Sequence, residues 1–261
     1  MGTVIVMFLI CLAASTVGGI CGIGGGVVIK PLLDALGLMS VSTVSFLSGL
    51  TVLCMAIINV FKNRKGNELD PARSIPLGIG AAIGGVTGKL IFDTLKKALA
   101  ADKTVGMVQA AVLALLVLGT LLYVRNKAHI KTKNVTSPVV GAAIGLALGI
   151  CSSFLGIGGG PMNLAVLYYF FSMDTKKAAV NSILIILLSQ TASLILTLVS
   201  GTVPFFSWGV LAAMASAGAL GGFLSAKLHK KLSASATDVL FSGLLVVIIL
   251  ICIYNICRFA S

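Results

Sequence analysis

Charge is what this sequence has least of. Of its 261 residues, 10% are charged and 58% hydrophobic; seven are acidic, two are histidine and one is tryptophan. A soluble domain carries about a quarter of its residues as charges. This chain, at a mean hydropathy of +1.11, has too few to face water and reads as a polytopic membrane protein. Catalytic vocabulary is equally thin. No H-E-x-x-H, G-x-S-x-G or acidic metal pair occurs, and His129 and His229 are both expected in basic loops without a partner constellation. Gly88-Lys89 runs into Leu90, so no phosphate-binding loop is completed, and no G-x-G-x-x-G is present. These gaps point away from an enzyme, a cofactor and a primary pump. The six cysteines (Cys11, Cys21, Cys54, Cys151, Cys252, Cys257) lie in apolar segments with no C-x-x-C pair, which supports neither a zinc site nor a disulfide framework. The formal charge of +12 does not imply nucleic acid either. Basic residues sit in short runs beside apolar segments, as membrane flanks that meet anionic lipid head groups do.

Glycine is what the sequence has in an improbable arrangement. Gly22-Ile23-Gly24-Gly25-Gly26 returns 134 residues later as Gly156-Ile157-Gly158-Gly159-Gly160. Each copy follows a long apolar run and precedes a short one. Consecutive glycines expose backbone N–H and C=O groups and permit positive φ. In lipid those groups must be met by protein, water or a ligand. Glycines also serve tight helix packing, but two copies in matching contexts favour a site.

Apolar runs fall at 3–21, 27–39, 41–61, 75–92, 105–124, 138–155, 161–173, 178–200, 205–228 and 237–257. Eight are long enough to span a bilayer, and the two that follow the glycine motifs are half-helices or short spans. The first run lacks a basic n-region and has a mid-chain counterpart, so it is expected to stay in the mature protein rather than act as a signal peptide. The halves match further: Ser48 falls on Ser182 at the same offset, and Gly80, Gly84, Gly88 and Lys89 fall on Gly218, Gly222, Ala226 and Lys227 at an offset of 138. We therefore expect an internal duplication, with a first transmembrane repeat at 1–125, a basic cytoplasmic linker at 126–137 and a second repeat at 138–261. Orientation follows from the basic residues. If each short segment completed a crossing, they would divide evenly between the two faces. If it returns to the side it came from, thirteen lie on the linker side, as the positive-inside rule requires. The expected fold is all-α, two inverted-topology repeats of about eight long helices plus two short ones, with both termini outside.

Inverted repeats with interrupted helices are the build of secondary transporters, whose sites lie near the midplane. Helices starting near Val27 and Pro161 would aim free N–H groups and positive dipole ends at one point, an anion site without an ionised side chain. Gly24, Gly25, Gly26, Gly158, Gly159 and Gly160 are the backbone candidates. Asn163, Ser48, Asn181 and Ser182 are the polar side chains on or beside them, with Ser45, Gln190 and Thr191 further along; all could equally be interhelical glue. Lys30 is spaced i,i+4 with Asp34, either as a functional intramembrane charge or as a snorkelling pair at an interface. Cys21 flanks the first motif and could touch sulfur, or simply fill a small apolar space.

GIGGGVVIKPLL and GIGGGPMNLAVLYYF, each ahead of a Ser/Thr/Asn-bearing span and a glycine-laddered span, resemble the TauE/SafE family of sulfite exporters and sulfonate permeases over nearly the whole chain. The resemblance implies a bacterial-type cytoplasmic-membrane carrier of a small sulfur-containing anion (sulfite, thiosulfate, a sulfonate or sulfoacetate) coupled to a proton or sodium ion. Lys30-Pro31 has no match after the second motif, so the halves are not chemically equivalent. An anion channel and a non-transporting membrane scaffold are the alternatives, and the pattern implies no particular oligomer.

Overall fold

The computed structural model describes residues 2–64, 66–99, 102–157 and 159–260. Among them the chain forms ten α-helices and no strand: α1 Gly2–Cys21, α2 Gly26–Leu36, α3 Val41–Asn63, α4 Pro71–Leu99, α5 Asp102–Asn126, α6 Pro138–Leu155, α7 Pro161–Phe171, α8 Thr175–Val199, α9 Trp208–Lys231 and α10 Ala234–Ala260. Eight of these are long and apolar enough to cross a membrane; α2 and α7, at 11 residues each, are not among them. Local signals set the ends. Pro71, Pro138 and Pro161 open helices, where their missing N–H costs nothing. Ser40 and Asp174 accept the N–H of Thr43 and Lys177 as N-caps.

Small residues fix the directions of the long helices. Along α9, Gly218 lies against Thr51 and Gly222 against Met55, while Gly221 meets Ser15 and Gly19 meets Ser225. So α1, α3 and α9 run the same way. Along α4, Gly80, Gly84 and Gly88 ride on Ala142, Leu146 and Ile150, and Gly78 and Gly85 meet Leu188 and Ser193. So α4, α6 and α8 share a direction as well. The two sets oppose one another, since Gly49 of α3 faces Gln190 whereas Gly24 sits between Val52 and Ile186. The first helix of one half and the first helix of the other therefore point in opposite senses, and the repeats are inverted.

Because α1 and α3 run the same way, the segment between them must return. At 1.5 Å per residue α2 covers about 16 Å, roughly half the hydrocarbon thickness. It descends from the level of Val52 to the ends of α2 and α10, where the Arg258 guanidinium donates to the carbonyls of Asp34 (2.7 Å) and Ala35. In the second half α7 returns likewise, and its last carbonyls accept from the linker: Lys133 N to Tyr169 O and Val135 N to Phe170 O. Both short helices are thus re-entrant.

The packing repeats with the halves exchanged. α1 lies on α9 as α6 lies on α4, α3 on α9 as α8 on α4, and α2 on α10 as α7 on α5, while α3 meets α8 and α5 meets α10 across the pseudo-axis. One face of the bundle carries the linker, the α3–α4 loop and the α9–α10 turn. The other carries the 200–207 turn and the end of α2.

Candidate functional site

The two glycine motifs cross at the centre of the bundle. In the first, Gly22 and Gly24 take φ of 77° and 73°, a region open to glycine. The carbonyl of Gly18 accepts from the N–H groups of both Ile23 and Gly24. In the second, Gly156 ends α6 at φ 65° and Gly159 stands at φ 127°; Gly158 lies outside the described residues. A Cβ on Gly26 would land on the Ile157 carbonyl oxygen, and one on Gly160 would stand 3.8 Å from Val27. Gly24 and Gly159 both abut Ile186, and Ile23 and Ile157 are fully buried. The start of α2 therefore packs directly on the second motif.

Polar atoms collect around this crossing. Ser48 and Ser182, the pair matched between halves, are wholly buried, as is Asn163, and the Ser48 Oγ, Ser182 Oγ and Asn163 Oδ1 have no protein partner. Ser15 Oγ, beside Gly25, and Ser45 Oγ, beside Gly156, are in the same condition. Asn181 is different. Its Nδ2 donates to the carbonyls of Glu68 and Lys177, and its Oδ1 accepts from Asp70 N and Ser74 Oγ. Two of these bonds reach the α3–α4 loop at Glu68 and Asp70, one reaches Ser74 of α4, and one stays within α8. Cys21 packs in the core. Lys30 and Asp34 form an ion pair at 2.7 Å with 3% and 7% exposure, which removes the interfacial, snorkelling reading. His229 needs a correction: it sits in α9, 2% exposed, rather than in a basic loop. Its Nδ1 lies 3.0 Å from the Ile20 carbonyl and its Nε2 lies 3.3 Å from Glu68 Oε2.

Beside the crossing lies a cavity of about 140 Å³ that reaches the 200–207 turn. One water needs roughly 10–15 Å³ on this measure, so a small oxyanion fits with water around it. Ser45, Lys89, Ser152, Gly156, Gln190 and Thr197 line it, and Asp93 is also on its wall. Lys89 Nζ donates to Thr197 Oγ1. Sequence reasoning weighed Lys89 only as part of a failed phosphate loop; its one signal was its match to Lys227 at the end of the glycine ladder.

The pseudo-symmetric place on the linker face is packed shut. There Gly22 stands where Gly156 does, and a Cβ on it would strike the Ala179 backbone, as one on Gly156 would strike the Ser45 side chain. Asn63 donates to Asn59 (2.9 Å) and Asn59 to Ser225 (2.8 Å), filling the space. The Glu68 loop, bonded to Asn181 of α8, lies against His229 of α9, whose Nδ1 in turn meets the Ile20 carbonyl of α1. One face is open and its inverted counterpart is closed.

Residues 7–251 match the family described as Sulfite exporter TauE/SafE. The chain belongs to the TauE/SafE sulfite exporter family. It is also 25% identical, across 94% of its own length and 95% of the relative's, to the probable membrane transporter protein YunE of Bacillus subtilis (strain 168). No solved structure matches it. The chain is thus a multi-pass membrane protein of a transporter family.

Proposed function

We propose that this protein is a secondary transporter of a small sulfur-containing anion: sulfite, thiosulfate, a sulfonate or sulfoacetate. It works in the cytoplasmic membrane by alternating access. The observation that carries this reading is the contrast between the open cavity at Lys89 and its closed counterpart across the pseudo-axis. In an inverted-repeat carrier, exchange of conformation between the halves opens the second face as the first closes. With repeats at 1–125 and 138–261 and a cytoplasmic linker at 126–137, the basic residues orient the linker face inward, and the cavity opens outward.

The cavity suits an oxyanion. The Lys89 ammonium offers charge-assisted hydrogen bonds, and hydroxyls of Ser45, Ser152 and Thr197 surround it. From there the anion reaches Gly156, on the cavity wall, and the crossing of the two GIGGG segments, where Ser48, Ser182 and Asn163 hold unpartnered polar atoms. The closed linker face favours a carrier over an open channel.

Counterflow in proteoliposomes tests the proposal. Vesicles holding only this protein are loaded with unlabelled sulfite and offered labelled sulfite, thiosulfate, small sulfonates or sulfate. Saturable exchange of a sulfur anion is expected. Non-saturating flux would replace the carrier by a channel, and no flux of any anion through folded protein would overturn the substrate class.

A further inference from the structure

Where α2 meets α5 and α10, beside Leu155 at the end of α6, lies a second, much smaller space of about 10 Å³, close to what one water needs. Lys30, Asp34, Gln109 and Asn255 line it, and none is more than 7% exposed. Lys30 Nζ holds Asp34 Oδ2. Gln109 Nε2 donates to the Phe154 carbonyl at 2.6 Å, and Asn255 Nδ2 donates to the Pro31 carbonyl at 2.9 Å. A carbonyl accepts only from the NH₂ end of an amide, so these bonds fix both amides and turn their oxygens away. Asp34 Oδ1, Gln109 Oε1 and Asn255 Oδ1 are all buried without a partner. Three residues with an unpartnered acceptor thus line one small space, and neither Lys30, the second N–H of either amide nor the weak Cys252 thiol is bonded to those oxygens.

The fold does not require this cluster. At the 134-residue offset Lys30 and Asp34 correspond to Leu164 and Tyr168 of α7. Apolar replacement of a buried ion pair is often neutral or stabilising, so a pair kept in one half alone points to use.

We propose that Asp34 is the proton-accepting group of the transport cycle, with Lys30 alternating between Asp34 and a bound anion so that one proton and one anion cross together; this rests on the anion-carrier reading above. Lys30 is placed for the exchange. Its Cε lies 3.2 Å from the position of a Cβ on Gly156, next to the unpartnered Ser45 Oγ, and both of those residues line the Lys89 cavity. An anion at that end of the cavity competes with Asp34 for the ammonium. Once Lys30 turns, the carboxylate is an unpaired charge in a dry interior, a condition relieved by protonation. The step is COO⁻ plus one solvent proton giving COOH, with no other bond made or broken. The new hydroxyl donates to Gln109 Oε1 or Asn255 Oδ1, and the orphan acceptors become a hydrogen-bonded set. A monovalent anion and a proton then add no net charge to the interior.

The charged and titratable groups facing Asp34 are few. Lys30 comes from α2, and Cys252 and Arg258 from α10, Arg258 through the Asp34 backbone carbonyl. Helix α5 brings the neutral Gln109. On the other helices packed against α2, the titratable residues are Cys11 and Cys21 of α1 and Cys54 and Lys62 of α3, with Lys62 at the opposite end of the bundle.

The experiment uses thiosulfate and a small sulfonate, whose own charge is constant over the working range. Anion binding to purified wild-type protein in weak buffer is followed together with proton uptake, and vesicle accumulation is followed under an imposed pH gradient. One proton per anion is expected, with about tenfold accumulation per pH unit for a monovalent anion, falling to onefold in Asp34→Asn. Anion exchange without proton uptake, or undiminished accumulation in Asp34→Asn, overturns the proposal and leaves the carrier reading intact. No anion binding or exchange at all overturns both. If Asp34→Asn does not fold, Gln109→Leu combined with Asn255→Leu decides. Removing both acceptors for the Asp34 hydroxyl lowers the pH of half-maximal proton uptake by about one unit, and an unchanged midpoint in folded protein overturns the proposal.

Discussion

Gly18 and Ser152 occupy matching places in the two halves, and their difference tests the alternation directly. Ser152 lines the open cavity. Gly18 lies under the closed face, where a Cβ would stand 2.6 Å from Gly24 O and 2.9 Å from Gly25 N. Those are backbone atoms of the first motif and cannot swing aside. They must retreat by about 0.8 Å to reach ordinary contact, at a cost of roughly 1–3 kcal/mol, as for other overpacked sites. In the exchanged conformation the residue at 18 would occupy a place like that of Ser152 here, with room for a side chain. Gly18→Ser therefore disfavours the present state selectively, and 1–3 kcal/mol shifts the population about 5- to 150-fold. The assay is the rate at which an impermeant thiol reagent labels a cysteine introduced at Ser193, on the cavity wall, in a background lacking the exposed Cys257. The rate should fall at least fivefold in the Gly18→Ser background when reagent is applied from the cavity face. Gly119→Ala, where a Cβ meets nothing within 4 Å, is the control and should leave the rate unchanged. An unchanged rate in folded Gly18→Ser would refute the link between this contact and the closed face.

Lys89→Met removes the cavity's ammonium and should raise the half-saturating anion concentration roughly 10- to 100-fold, the value of a charged hydrogen bond; counterflow kinetics measure it. Lys30→Met alone leaves Asp34 buried without its partner and should cost about 3–5 kcal/mol, while Lys30→Met with Asp34→Leu should restore most of that loss, as read by denaturation in detergent. Asn181→Ala breaks the two bonds to the Glu68–Asp70 loop and the one to Ser74, so amide exchange at 66–70 should rise while exchange in α5 stays constant. Equal protection in both proteins would assign the loop's order to other contacts.

Much of the architecture was legible because lipid makes polarity expensive. Long apolar runs, the doubled glycine phrase and the distribution of lysine and arginine together required two returning segments, and Gly19 against Ser225 with Gly80 against Ala142 bears that geometry out. The chemistry was less legible where residues meet from distant helices. Gln109 and Asn255 carry no motif, and only the packing of α5 and α10 on α2 gathers them at Asp34. Lys89 looked like the end of a packing ladder. Asn181 shared a register with Ser45-to-Ser48 and read as path-lining or as interhelical glue, and its amide is taken up by the loop after α3, the start of α4 and its own helix. His229 lay among lysines that suggested a loop, although the helix continues through them and buries it.

The exchanged packing has a consequence for how the chain is made. α1 finds its main partner in α9, and α4 finds its own in α6, so neither half completes its interface alone. During synthesis the first helix must wait in the bilayer, its small-residue face against lipid, until most of the second half has been inserted. Final assembly is then a late event that commits both halves at once. Separately expressed halves divided within 126–137 should find each other in the same membrane, whereas either alone should be cleared.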